Sequence, residues 1–184
     1  KPSIPIGFQQ ALGEKVLFIT NDHDLKKAVK AIENTNFKNT PFIVQEYIPG
    51  DVADLYTITS YTNKNSKILS YSIGHKIRQN PPIAGSITAG KVVHEPEILK
   101  IAQDFMSAVN FYGLSNIEFK RDDRDGSYKL MEINPRLGVW NYSAKASGIN
   151  LPLAAYNDIV DNQWISQTKP GKELVWINTL LDLY

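Results

Sequence analysis

Apolar positions along the chain fall into short runs with two different periods, which separate helices from strands. Val16 to Thr20 (VLFIT) is a continuous apolar run and predicts a strand after a loop-like first segment, Lys1 to Lys15. Leu25, Ala28, Val29 and Ile32 recur at helical spacing behind Asn21 and Asp22, so a helix capped at one of those two is expected. Phe42 to Ile48 reads as a buried strand ended by Pro49-Gly50. Two further runs, Leu55 to Thr62 and Lys67 to His75, flank Asn63-Lys64-Asn65-Ser66 and predict an antiparallel hairpin. Gln79 to Gly90 is dense in turn formers and is expected to be an exposed, mobile loop. Pro96 occupies the first-turn position of a helix whose apolar face is Ile98, Ile101, Ala102, Phe105 and Val109, with Gly113 as the expected stop. Asn116 to Lys120 and Tyr128 to Asn134 read as two more strands about a polar turn containing Asp125-Gly126. A shorter helical stretch covers Pro152 to Val160, and the segment beyond Asp161 reads as a peripheral strand or a contact for another domain.

Strands and helices alternate in clusters without regular βαβ repetition, which gives an α+β class. At 184 residues the chain suffices for one ordinary domain or two small lobes. Lysines and arginines number 20 against 19 acids, so nothing in the charge calls for nucleic acid or an anionic membrane. No apolar run approaches the roughly 20 residues needed to cross a bilayer. Cysteine is absent, which removes disulfides, thiolate metal sites and a cysteine nucleophile, and fits a cytoplasmic location. His23, His75 and His94 show no metal-ligand spacing.

The sharpest chemistry lies in the last hairpin. If its strands pair symmetrically about Asp125, Glu118 stands opposite Glu132, Phe119 opposite Met131 and Ile117 opposite Ile133. Side chains alternate between the faces of a strand, so Ile117, Phe119, Met131 and Ile133 share an apolar face. Glu118, Glu132 and Asn134 share the other. Like charges directly across a strand pair repel, and a cation between them resolves the conflict. Three oxygen donors suit Mg²⁺ or Mn²⁺, which take their remaining ligands from phosphate and water. Arg136, just past the strand end, is placed to clamp an anion bidentately. The same spacing also fits paired acids on the solvent face of an ordinary hairpin.

Leu130-Met131-Glu132-Ile133-Asn134-Pro135-Arg136, preceded by Asn116-Ile117-Glu118-Phe119-Lys120, resembles the signature strands of the ATP-grasp superfamily. The resemblance covers about residues 1 to 160 and implies an ATP-grasp fold, two α+β lobes with nucleotide between them. It implies a small lobe over 1–48, a large lobe with the metal site over 49–161, and a tail over 162–184. It further implies that Glu118, Glu132 and Asn134 hold Mg²⁺ on the phosphates of ATP, with Arg136 facing the transferred phosphoryl group. Phe42 to Gly50 is similar to the family's interlobe hinge, which carries Glu46, Tyr47 and Ile48 over to adenine and Asp54 or Asp51 to ribose or substrate. Lys1 and Lys15 are similar to the two nucleotide lysines. The loop between them holds only Gly7 and Gly13, a departure from the glycine-rich family pattern. Lys76 and Arg78, beside His75, stand where similar ligases approach the phosphates or an acceptor carboxylate.

The implied reaction is phosphorylation of a carboxylate by ATP, followed by attack of an amine on the acyl phosphate. Leu137 to Ser143 and Ala146 to Pro152 look like the corresponding region of carboxylate-amine ligases, with D-aspartate ligases the nearest group, and point to Asn141 and Ser143 as substrate contacts. The partners implied are a small carboxylate and an amine, together with an N-terminal domain that usually precedes the two lobes. Two other readings stay open: a carbamoyl-phosphate-synthase-like kinase of a small carboxylate, and a nucleotide-binding module without catalysis.

Overall fold

Hydrogen-bonded register explains why one sheet dominates the chain. In the computed structural model, which describes residues 7–81, 84–161 and 174–182, six antiparallel strands form a sheet of order β5-β4-β1-β2-β3-β6. They are β1 (Leu55–Thr62), β2 (Ile68–Asn80), β3 (Ser86–Val93), β4 (Gly113–Arg121), β5 (Tyr128–Asn134) and β6 (Val175–Ile177). The register lines up Ile133, Ile117, Ile58, Ile73 and Val93 across five strands, a row of β-branched side chains suited to a pleated surface. Helix α3 (Pro96–Ala108) covers this face with Ile98, Ala102 and Met106, all wholly buried beside Ile58, Ile73, Ile117 and Phe119. Each large apolar side chain buried here contributes about 1.5–3 kcal/mol.

The opposite face carries a polar row. Glu132, Glu118, Thr57, Gly74 and Val92 stand in register across five strands, and Asn134, Asn116, Thr59 and Ser72 form the next row. Helices α4 (Asn141–Ala146) and α5 (Leu151–Tyr156) pack on the far end of this face, where Tyr61, Leu69, Ala144, Ile149 and Leu151 form a second core. A π-helical turn, Asn157–Asp161, follows α5, and Tyr61 donates a 2.7 Å hydrogen bond to Asp158 in it. The segment beyond Asp161 contributes β6, paired with the outer edge of β3, and α6 (Thr179–Asp182).

The contacts divide the chain into two compact units, one ending at Tyr47 and the other beginning at Ile48. The first holds α1 (Phe8–Leu12) and α2 (Asp22–Glu33). Among its described residues the buried Phe8 sits edge-on to Phe37 and Phe42. Asn21 caps α2 as the spacing predicts, its side chain accepting from the Asp24 amide at 3.0 Å.

Several sequence expectations are corrected. Val16 to Thr20 and Phe42 to Ile48 are not strands; only Phe42 makes a single bridge. Apolar runs report side chains, whereas a strand also requires a neighbour for its backbone. Gln79 to Gly90 is mostly hairpin: β2 continues to Asn80 and β3 begins at Ser86. α3 ends at Ala108, and Asn110, with φ of 52°, makes the left-handed turn assigned to Gly113, which instead opens β4. In the β4–β5 hairpin Glu118 pairs with Glu132 and Ile117 with Ile133 as expected, but a bulge after Glu118 brings Leu130 opposite Phe119. Leu130, not Met131, therefore joins the core against α3.

Candidate functional site

The polar face positions its carboxylates through the strands that carry them. Glu118 from β4 and Glu132 from β5 are directly paired and half-buried. Asn134, two residues along β5, donates from Nδ2 to Glu132 Oε1 at 3.0 Å. Arg136, exposed beyond the strand end, donates from Nη2 to Asn134 Oδ1 at 3.4 Å and from Nη1 to the Leu137 carbonyl at 3.3 Å. The structure thus brings Glu118, Glu132, Asn134 and Arg136 together, as the spacing required.

Lys76 joins them from across β1. Its side chain is 4% exposed, and its ammonium lies 3.3 Å from Glu118 Oε2. Removing Glu118 would leave the buried Lys76 ammonium uncompensated. Arg78, two residues on, is held elsewhere: Asp182 in α6 accepts from its Nε and Nη2 and also from the Thr88 hydroxyl at 2.7 Å. Those bonds hold the Asp182 carboxyl at about 2, below its ordinary range.

The reading from sequence did not single out Asn116 and Thr57. Asn116 lies beside Glu118 on the same face, opposite Asn134, and its Oδ1 accepts a 3.0 Å bond from the Thr57 hydroxyl. Counting back two from Glu118 in the expected register would have found it. Gly138 sits against this amide: a Cβ there would fall 3.4 Å from Asn116 Cγ. Trp140 then closes the loop behind Arg136, its indole buried against the backbone of Gly74. In α4, Asn141 is half-buried and Ser143 wholly buried, while Tyr142 between them is exposed. Asn141 Oδ1 and Ser143 Oγ lack hydrogen-bond partners among the described residues.

The remaining expected residues are carried by other segments of the chain. Lys15, Glu46 and Tyr47 belong to the first unit and are exposed, with the Tyr47 ring edge-on to Phe18. Ile48 begins the second unit and is buried. Asp54 accepts from the Asp51 amide at 2.8 Å in a reciprocal cap that starts a short 3₁₀ turn before β1. Lys1 lies outside the described residues. His75 stacks on Tyr56, on the face away from Glu118.

Among the described residues no three His, Cys, Asp or Glu side chains cluster, so two carboxylates and an amide are what the polar face offers a cation. That donor set fits Mg²⁺, which keeps several non-protein ligands, and does not fit a closed structural zinc site. No helix among the described residues is long and apolar enough to cross a membrane.

A sequence model of the family described as "ATP-grasp in the biosynthetic pathway with Ter operon" matches residues 38–180. D-aspartate ligase of Enterococcus faecium is 29% identical over 131 residues, covering 70% of this chain and 31% of that protein. Among solved structures, N5-carboxyaminoimidazole synthetase of Staphylococcus aureus complexed with ADP superposes with a TM-score of 0.65 at 16% identity, over 89% of this chain and 43% of the other. L-amino acid ligase of Bacillus licheniformis gives 0.60 at 17% identity, over 85% and 40%. At such identities the structural likeness concerns the fold, and the chain spans less than half the length of each of these relatives.

Proposed function

The chain belongs to the ATP-grasp family matched over residues 38–180, and on that premise we propose that it is the catalytic part of an ATP-dependent carboxylate-amine ligase. The observation that carries the reading is the register that sets Glu118 against Glu132, with Asn134 and Arg136 hydrogen-bonded in line beyond them. An acid pair across two strands is unfavourable alone and is stabilised by a cation. The D-aspartate ligase relative supports a carboxylate and an amine as the substrates, and the ADP bound to the synthetase neighbour supports a nucleotide.

On this reading Glu118, Glu132 and Asn134 hold Mg²⁺, which when bound neutralises triphosphate charge and orients the phosphates. Arg136, whose fork is exposed, faces the γ-phosphoryl group and stabilises the charge spread over its oxygens in transfer. The substrate carboxylate attacks that phosphorus and ADP leaves; the amine then attacks the acyl carbon and phosphate leaves. No protein nucleophile is needed, and positioning with charge stabilisation supplies the rate. Lys76 neutralises phosphate from the sheet, and Lys15, Glu46, Tyr47 and Ile48 serve the nucleotide. Asn141 stands with the exposed Tyr142 on the acceptor side.

The test is calorimetric titration of the chain with a non-hydrolysable ATP analogue, with and without Mg²⁺, beside Glu132→Ala. Saturable binding that requires Mg²⁺ and weakens at least about tenfold in the variant is expected, a loss of about 1.4 kcal/mol. Binding indifferent to both changes would replace the ligase with a non-catalytic nucleotide module.

A further inference from the structure

Lys76 is a buried cation whose ammonium has Glu118 as its only hydrogen-bonding partner among the described residues. It reaches that carboxylate from β2, across the intervening strand β1, two residues along from Gly74 of the polar row. Glu118 is also one of the two opposed acids of the candidate metal site. A divalent ion held by Glu118 would share the carboxylate that Lys76 now holds, so two cations would compete for one anion. Repulsion at such range inside a protein is many times its value in bulk water.

Accepting the metal-nucleotide reading above, we propose that Lys76 is a tethered cation that balances the acid pair when no metal is bound and is released from Glu118 onto a phosphate of the incoming metal-nucleotide complex. Lys76 then acts as a gate on metal loading. Free metal alone must displace a buried ammonium and leave it without a counter-ion, which is strongly unfavourable. Metal arriving with a polyphosphate brings the replacement anion, so the two load together. The residue is a positioning group for the cofactor and adds a selectivity that carboxylates alone do not have: metal with nucleotide is preferred over metal by itself.

The experiment measures Mn²⁺ binding to the whole chain by electron paramagnetic resonance of the free ion, with and without a non-hydrolysable ATP analogue. Lys76→Met is expected to bind Mn²⁺ alone about tenfold more tightly than the wild type, with removal of one like charge as the cause. With the analogue present the sign reverses, and the variant binds the pair more weakly. Lys76→Arg keeps the charge and stays close to the wild type in the metal-alone arm. A second readout needs no disruptive variant: in the wild-type chain with ¹³Cε-labelled lysine, Mg²⁺ and analogue together shift the resonance that Lys76→Arg deletes, whereas Mg²⁺ alone at the same concentration leaves it in place. Equal Mn²⁺ affinities in wild type and Lys76→Met, or an unmoved lysine resonance, would overturn the gate while leaving the metal site standing. Absence of Mn²⁺ binding in every form, with and without analogue, would overturn the gate and the proposed function together.

Discussion

The indole of Trp140 rests directly on strand backbone, and that contact dictates what the facing strand positions can be. A Cβ on Gly74 would lie 2.3 Å from Trp140 Cε2, and one on Gly90 would lie 2.9 Å from Cζ3. Neither glycine has a positive φ, so the requirement is space, not backbone freedom. Gly74 also occupies the polar row beside Thr57 and Glu118, so the strand gives up a side chain there to seat the loop that begins at Arg136. Gly74→Ala is expected to destabilise the chain by about 1–3 kcal/mol, the usual cost of overpacking. In a Trp140→Phe background, where the smaller ring leaves room, the same substitution should cost less. Urea unfolding of the four proteins measures this as a double-mutant cycle; equal costs in the two backgrounds would mean that the indole is not what excludes the methyl group.

At the scale of elements, legibility followed the number of constraints acting on each segment. β1, α3 and the hairpin of β4 and β5 were readable because periodicity, turn residues and a helix-starting proline agreed. The pairing of Glu118 with Glu132 followed from symmetry about Asp125, but the bulge beside it did not, because an extra residue leaves no mark in an alternating pattern. The glycines and prolines of Gln79 to Gly90 suggested a loop, yet Arg78 and Thr88 are tied by Asp182 from a distant part of the chain, a constraint local sequence cannot show. That tie is pH-dependent in a definite direction. Asp182 is held at about 2 against an ordinary 3.8, so it favours the attached α6 fully above about pH 4 and loses that contribution as pH falls through 2. Thermal melts of wild type and Asp182→Asn should therefore differ by a constant amount above pH 4 and converge toward pH 2. A difference that persists unchanged at pH 2 would assign the stabilisation to packing and not to the carboxylate.

For the whole molecule, the division between Tyr47 and Ile48 separates two groups of expected ligands. Lys76, Glu118, Glu132 and Asn134, carried by strands of one six-stranded sheet with cores on both faces, and Arg136 just past the end of β5 all lie on the unit that begins at Ile48. Lys15, Glu46 and Tyr47 lie on the unit that ends at Tyr47, where Phe8 is the buried apolar residue among the described ones. A sheet with its own cores meets the requirement for folding by itself. A chain cut to residues 48–184 is expected to unfold in urea as a single cooperative transition. Its Mn²⁺ affinity without nucleotide should stay within about threefold of the full chain, since Lys76, Glu118, Glu132 and Asn134 are all retained. Its affinity for an ATP analogue should fall by much more, because the proposed adenine and phosphate contacts of the first unit are gone. Paired unfolding and titration curves on the two lengths decide the matter: loss of metal binding on truncation would mean that the first unit shapes the carboxylate site, and unchanged nucleotide binding would remove Lys15, Glu46 and Tyr47 from the nucleotide's contacts.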